Sequence, residues 1–166
     1  DQDIILATYN GKSIRFNEND VRATGRKTMG VRGIRLGSKE DKVMGMLIVK
    51  REGSVMVVTN KGYGKRSDLS EYRTQKRGGK GVITIKTTSK VGNLVGIMEA
   101  LDTDDLMLIT DKGIMIRQPV ENIRTIGRNT QGVRLVKLDD KTHISSATRV
   151  IKEEENEGEE TTQKEE

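Results

Sequence analysis

The 166-residue chain has no cysteine and no tryptophan, and it has only one proline, one phenylalanine and three tyrosines. Without cysteine there is no disulfide framework, no thiolate nucleophile and no zinc–thiolate site. No run of apolar residues is long enough to span a membrane, and Asp1-Gln2-Asp3 lacks the basic start of a signal peptide. We therefore expect a cytoplasmic protein with no membrane partner. So few aromatic rings cannot build the stacking platforms that hold single-stranded nucleic acid.

The charge is unevenly distributed along the chain. Thirty Lys and Arg residues against 25 Asp and Glu residues give a net charge of +5. Residues 152–166 hold eight Glu and two Lys, a net charge of −6, which leaves +11 for residues 1–151. The acidic stretch has no apolar residue, so we expect a disordered tail. A basic body indicates a polyanionic partner with which the tail competes; the alternative is that the tail serves only solubility.

Residues 1–151 contain a threefold internal repeat. Residues 6–36, 57–87 and 108–138 superpose without gaps at a period of 51, and self-similarity of this kind is typical of repeat architectures. Seven positions are identical in all three copies, and they are Thr8/Thr59/Thr110, Gly11/Gly62/Gly113, Arg15/Arg66/Arg117, Arg22/Arg73/Arg124, Arg26/Arg77/Arg128, Gly30/Gly81/Gly132 and Val31/Val82/Val133.

Each repeat unit shows a pattern of short strands and turns. Asn60-Lys61-Gly62, between two apolar runs, is typical of a hairpin turn in which glycine takes a positive φ, and Thr59 is expected to satisfy a turn amide. We predict an all-β fold of three four-stranded antiparallel blades, a pinwheel or propeller-like array. The blades are expected at residues 1–51, 52–102 and 103–151, followed by the tail at 152–166. Three blades make an incomplete ring, which indicates a piece of a larger domain.

The repeated arginines have two interpretations. Arg15 and its equivalents, inside a strand, either bridge neighbouring blades or face a polyanion. Arg26 and its equivalents lie in a glycine-containing loop, which favours phosphate binding because phosphates recur at regular intervals along duplex DNA. The second unit has the most basic loop, with three cations among three glycines that let backbone amides approach a phosphate. That loop is Gln75-Lys76-Arg77-Gly78-Gly79-Lys80-Gly81, called the box loop below.

The box loop resembles the GyrA box in the C-terminal domain of the DNA gyrase A protein. Residues 28–36, 60–66 and 127–133 resemble the same family. The resemblance implies a β-pinwheel, usually of six blades that exchange strands, with duplex DNA wrapped round its basic rim. The family's box normally lies in the first blade and this one matches a later blade, so it is either a secondary box or the principal one. DNA contacts are expected from Gln75, Lys76, Arg77, Gly78, Gly79, Lys80, Gly81, Arg26, Lys27, Arg128, Lys65, Arg66, Arg73, Arg32 and Arg134.

The resemblance also implies partners, which are double-stranded DNA, the rest of the gyrase A polypeptide and, through it, the gyrase B polypeptide. We expect no cofactor and no catalysis by this chain, because Gly11-Lys12-Ser13 lacks the upstream glycine of a phosphate-binding P-loop and a single histidine gives no metal cluster. Two alternatives stay open. One is the DNA-bending C-terminal domain of topoisomerase IV, and the other is a propeller scaffold that binds an acidic protein.

Overall fold

The computed structural model describes residues 1–152, and they form β-strands joined by turns and three short 3-10 helices. The predicted all-β class is confirmed. The predicted acidic tail, apart from Lys152, lies outside the described residues. The strands are β1 (Asp3–Thr8), β2 (Lys12–Asn17), β3 (Val43–Ile48), β4 (Ser54–Thr59), β5 (Tyr63–Ser67), β6 (Val82–Ile83), β7 (Leu94–Ala100), β8 (Asp104–Thr110), β9 (Met115–Pro119), β10 (Val133–Arg134) and β11 (Ile144–Ile151). The 3-10 helices are Glu18–Asp20, Leu69–Glu71 and Val120–Asn122.

The strands form three antiparallel sheets, and neighbouring repeat units exchange one strand. The first sheet has the order β3-β1-β2-β6 and the second β10-β5-β4-β7, so each takes its fourth strand from the next unit. In the first sheet Lys12 lies opposite Ile83, and in the second Tyr63 lies opposite Arg134. Within the described residues the third sheet has only three strands, β11-β8-β9. Exchange of this kind was implied by the family resemblance.

The hairpin turns follow from the repeated threonine and glycine. Gly11, Gly62 and Gly113 have φ of 81°, 83° and 78°, a region that glycine enters without steric cost. The Thr59 hydroxyl accepts a hydrogen bond from the Tyr63 amide at 3.2 Å, and the other two threonines do the same. The predicted turn chemistry is confirmed.

The strands opposite the exchanged edge, β3, β7 and β11, pack side by side along one side of the molecule. Small residues permit this approach. A Cβ added to Gly45 would lie 2.9 Å from a methyl carbon of Ile97, and one added to Gly96 would lie 3.1 Å from Cβ of Ala147. Since β3, β7 and β11 form the inner edge of the array, the exchanged strands β6 and β10 and the loops that lead to them lie on its outer rim.

Two of the three hydrophobic core clusters lie between units, and the third, formed by Ile14, Phe16 and Ile34, lies within the first unit. One core joins the first and second units and includes Ile5, Leu47, Tyr72 and Leu94, and a second joins the second and third units. Tyr72 is 1% exposed and its hydroxyl lies 2.6 Å from that of Thr84. Each unit therefore depends on its neighbour for burial of its apolar side chains. No helix in the part of the chain described is long and apolar enough to cross a membrane.

Candidate nucleic-acid interface

The box loop lies on the outer rim and is fixed to the first unit by backbone hydrogen bonds. The Gln75 amide donates to the Arg15 carbonyl at 2.8 Å, the Gly78 amide to the Gly33 carbonyl at 2.7 Å, and the Arg35 amide to the Gly79 carbonyl at 2.8 Å. These bonds hold residues 75–81 along the outer edge of the first sheet. The loop is therefore anchored to the first unit through the backbone of Gln75, Gly78 and Gly79.

Glycines give the box loop a backbone path that the other two loops do not share. Gly78 has φ of 82°, whereas its equivalents are Lys27 and Asn129, and the only non-glycine residue with positive φ in the described chain is Glu52. Gly81 is required by contact as well, because a Cβ there would lie 2.2 Å from the Ser13 carbonyl oxygen. The backbone of this loop lies directly against the neighbouring strand.

Two lysines of the box loop point into solvent. Lys76 and Lys80 are exposed, and neither makes a hydrogen bond or ion pair through its side chain among the described residues. Gln75 is partly buried, and its side-chain amide nitrogen has no hydrogen-bond partner there. This part of the loop thus presents two ammonium groups to solvent, whereas the unpaired side-chain nitrogen of Gln75 is buried.

The loop arginines of the second and third units, Arg77 and Arg128, donate hydrogen bonds to backbone carbonyl oxygens of the preceding unit. Arg77 donates from Nε to the Asp20 carbonyl at 3.1 Å and from Nη1 to the Arg32 carbonyl. Arg128 makes the equivalent bond to the Ile83 carbonyl, one period further along. Both guanidinium groups therefore tie a loop to the preceding unit. Arg26, the equivalent in the first unit, is exposed.

Lys65 and Arg66, which the sequence suggested as DNA contacts, lie in the interior. Lys65 is 0% exposed, and its ammonium donates to the Gly127 carbonyl at 2.7 Å, to the Arg128 carbonyl, and to the Thr130 hydroxyl at 3.0 Å. Burial lowers the pKa of Lys65 to about 8. Arg66 donates to the Ile123 carbonyl at 2.7 Å and pairs with Asp102. Both side chains use their donors within the protein, so neither belongs to the DNA surface proposed below.

The other arginines at the Arg66 position also make internal contacts. Arg15 bonds Asp3 at 2.7 Å and the Tyr72 carbonyl of the next unit at 3.1 Å, while Arg117 bonds Asp105 at 2.7 Å. Of the two interpretations of this position, the bridge between units is the one observed for Arg15 and Arg66.

The arginines at another repeat position face solvent instead of making contacts within the protein. Arg22, Arg73 and Arg124 are exposed in every unit, and none makes a side-chain hydrogen bond or ion pair among residues 1–152. Arg32 and Lys27 are exposed as well. Arg134 is exposed, bonds the Tyr63 hydroxyl at 3.2 Å and lies over its ring at 5.7 Å. These cations are available to an external anion.

The sequence comparison missed two further sets of exposed cations. Arg35, Lys86 and Lys137 share one repeat position, and Lys39, Lys90 and Lys141 share another; all six are exposed. The second set is identical in every unit but lies beyond the 31 residues that were superposed, and extending the comparison by three residues finds it. Lys90, Lys137 and Arg134 line a cleft of about 510 Å³ between the second and third units, together with Lys61 and Tyr63.

The exposed side chains at the repeated positions described above are cations. Among residues 1–152 no group of three His, Asp or Glu side chains is placed to hold a metal ion. The most buried carboxylate is already neutralised, since Asp104 is 1% exposed and receives two hydrogen bonds from Arg51 at 2.8 and 2.9 Å.

A family model and a relative of known identity both match this chain over most of its length. The family model "DNA gyrase C-terminal domain, beta-propeller" matches residues 2–50, 53–99 and 104–150. The DNA gyrase A protein of Escherichia coli K12 is 42% identical over 150 residues, which are 90% of this chain and 17% of that protein. The chain thus spans less than a fifth of this relative's length.

Two solved structures have the same fold. A DNA gyrase A C-terminal domain matches with a TM-score of 0.84 and 28% identity, over 91% of this chain and 51% of that one. The C-terminal domain of a DNA topoisomerase IV matches with a TM-score of 0.84 and 24% identity, over 90% of this chain and 47% of that one; at that identity it supports the fold alone.

Proposed function

The chain belongs to the DNA gyrase C-terminal domain family, and on that premise we propose that its outer rim binds and wraps duplex DNA. The observation that carries the proposal is the set Arg22, Arg73 and Arg124, exposed in every unit and without an internal partner in the described chain. An arginine with no partner inside the protein and the same place in each unit provides charge at regular intervals.

The proposed binding is to phosphates rather than to bases. Duplex DNA is held mainly by cations that neutralise its backbone and release counterions, and the +11 charge of residues 1–151 favours such a ligand. The chain has four aromatic residues, and three of them, Phe16, Tyr63 and Tyr72, are buried. It therefore has too few exposed rings for unpaired bases to stack on.

The box loop is proposed to be the main contact. Lys76 and Lys80 bring positive charge on exposed side chains. Further proposed contacts lie on the loops of the other units and beside them. They are Arg22, Arg26, Lys27 and Arg32 in the first unit, Arg73 in the second, and Arg124, Arg128 and Arg134 in the third.

In this proposal the chain is a non-catalytic part of a DNA gyrase A protein. The whole enzyme, together with gyrase B, would introduce negative supercoils into DNA in the bacterial cytoplasm at the expense of ATP. The contribution of this chain is to hold a DNA segment curved along the rim.

Salt dependence tests the binding mode. If about six phosphates are contacted, log K should fall with log[salt] at a slope of roughly −5. Replacing Lys76 and Lys80 together with Ala should flatten the slope by about 2 and weaken random sequences equally. Lys50→Ala is the control, since it removes an exposed charge just after the inner strand β3. A slope near zero for the unmodified chain would exclude phosphate neutralisation.

Wrapping needs a separate test, because bending and wrapping both follow from phosphate contacts. Nicked circular DNA is closed by ligase in the presence of the chain, and the linking number is measured after deproteinisation. Wrapping of one hand shifts the linking number in one direction in proportion to bound protein. Binding without such a shift would instead support bending alone, and affinity for an acidic protein without DNA binding would support the scaffold alternative.

A further inference from the structure

The box loop and its counterpart in the third unit differ in their backbone hydrogen bonds. That counterpart, residues 126–132, is called the third loop below. Two of the three backbone bonds that fix the box loop recur in it, with the amides of Ile126 and Lys86 as donors. The remaining bond is made by the Gly78 amide in the box loop, whereas the equivalent amide, that of Asn129, donates to no acceptor in the described chain. The third loop is therefore held in a different way.

Lys65 holds the third loop from beneath. Its side chain is 0% exposed, and the equivalent residues of the other units are Ile14 and Ile116, so the strand packs without a charge at this position. An ammonium is costly to bury unless it is hydrogen-bonded. Every hydrogen bond that this ammonium makes among residues 1–152 goes to the third loop, and the acceptors are the carbonyls of Gly127, Arg128 and Thr130 and the Thr130 hydroxyl.

These bonds determine which way the peptide groups of the third loop face. In a trans peptide the carbonyl of one residue and the N–H of the next point in opposite directions. Lys65 draws the carbonyls of Arg128 and Thr130 inward, so the N–H groups of Asn129 and Gln131 point away from it, and both residues are exposed. We propose that Lys65 is a positioning residue for DNA binding, which turns these two N–H groups outward to bind one phosphate of the duplex.

An anionic oxygen already occupies the neighbouring N–H group of the third loop. Lys65 binds the Gly127 carbonyl at 2.7 Å, and the Arg128 N–H on the other side of that peptide donates to the exposed Glu71 carboxylate at 2.8 Å. The outer side of the loop thus binds an anion within the protein itself. Closely spaced backbone N–H groups are a common phosphate site, and the two described above are left for an external anion.

The third loop lacks the lysines with which the box loop presents charge. Gly127 and Gln131 occupy the positions of Lys76 and Lys80. The ammonium of Lys65 lies beneath the loop instead, where solvent screens its attraction to a phosphate less than at the surface. The box loop would therefore bind DNA through side chains and the third loop through its backbone. This inference rests on the proposed function, because its ligand is a phosphate of the bound duplex.

Binding of a random-sequence duplex to the full 166-residue chain tests the inference, with Lys65→Met as the variant. Methionine keeps an unbranched side chain in the buried site but cannot hold the carbonyl oxygens. We expect about tenfold weaker binding, as for the loss of one hydrogen-bonded phosphate contact, and a salt slope that is flatter by about 1. Lys50→Met is the matched control, since it removes the same charge from an exposed site just after β3, and it should leave affinity and slope nearly unchanged.

The pH dependence separates positioning from packing. Burial lowers the pKa of Lys65 to about 8, while Glu71 raises it and Arg128 and Lys86 lower it further. A neutral amine holds carbonyl oxygens less firmly than an ammonium does. The difference in affinity between the unmodified chain and Lys65→Met should therefore be about tenfold at pH 7, where Lys65 is protonated, and narrow to less than about threefold at pH 9.5. A loss that is the same at both pH values would show that only packing was disturbed, which contradicts the inference.

The two N–H groups can be observed directly in proton–nitrogen correlation spectra. The signals of Asn129 and Gln131 should shift when duplex is added to the unmodified chain, and shift less in Lys65→Met. Binding that leaves both signals in place would overturn the inference. Equal affinities and slopes for the unmodified chain and Lys65→Met would also overturn it and leave the proposed function intact. An unmodified chain that does not bind duplex would overturn the proposed function itself.

Discussion

Replacing Lys65 with Met removes a buried ammonium while keeping an unbranched side chain of similar length. Burial is the main reason that the pKa of Lys65 falls from an ordinary 10.5 to about 8, with Glu71 raising it and Arg128 and Lys86 lowering it. In the unfolded chain the same group binds its proton more tightly. Between these two values the unfolded state holds a proton that the folded state has released, so stability contributed by this group increases as pH rises.

The magnitude follows from the two pKa values. Below about pH 8 both states are protonated and Lys65 gives no slope. At pH 9.5 the linkage relation gives about 2 kcal/mol of added stability relative to pH 7, and the full difference approaches about 3 kcal/mol above pH 10.5. The methionine side chain of the variant does not titrate, so the difference in free energy of unfolding between the unmodified chain and Lys65→Met should grow by about 2 kcal/mol from pH 7 to pH 9.5.

Urea unfolding of the two proteins at a series of pH values measures this difference directly. Taking the difference cancels groups that titrate equally in both proteins, such as Tyr72. Lys39→Met serves as the control, since Lys39 is exposed in the first unit, and its difference should stay flat. A flat or decreasing difference for Lys65→Met would show that the carbonyl oxygens of residues 127–130 stabilise the ammonium enough to offset its burial.

The remaining predictions concern stability. Gly62→Ala should destabilise the fold by about 2–4 kcal/mol, because the backbone is left-handed and the added carbon would lie 2.7 Å from the Val136 carbonyl oxygen. Gly113→Ala, where φ is 78° but the space around an added Cβ is open, should destabilise the fold by only about 1 kcal/mol. If urea unfolding shows the same loss of stability for Gly62→Ala and Gly113→Ala, the interlocking of units is contradicted. Burial raises the pKa of Asp104, but bonds from Arg51 and the Leu101 amide outweigh it and lower the pKa overall. Asp104→Asn should therefore cost about 2–3 kcal/mol at neutral pH and progressively less as pH falls through the native pKa, whereas exposed Asp102→Asn should cost at most about 1 kcal/mol.

Local features of the fold were accessible from the sequence because they depend on neighbouring residues. Thr59 and Gly62 predict a hairpin from local sequence alone. The turn needs a hydroxyl that accepts a hydrogen bond, which Thr59 supplies, and a residue with positive φ, which Gly62 supplies. The same pattern at 51-residue intervals predicted three similar antiparallel blades. The exposed Lys39, Lys90 and Lys141 were equally accessible and were missed only because the comparison stopped too early.

The roles of individual cations were not accessible in this way. Lys65 and Lys76 are both lysines beside glycines and arginines, yet one is buried beneath residues 127–130 and the other is exposed. The difference depends on a loop about sixty positions further along the chain. Arg73 and Arg77 differ for the same reason, since only Arg77 reaches the carbonyl oxygens of Asp20 and Arg32.

The sequence by itself determined the repeat, the turn geometry, the basic body and the family. Each of these depends on residue type and spacing alone. Only the tertiary structure decided which strand completes which sheet, which arginines bridge units and which face solvent. The physical reason is that a unit takes its fourth strand and much of its core from its neighbour, so a residue's environment is set by a different unit from the one that contains it.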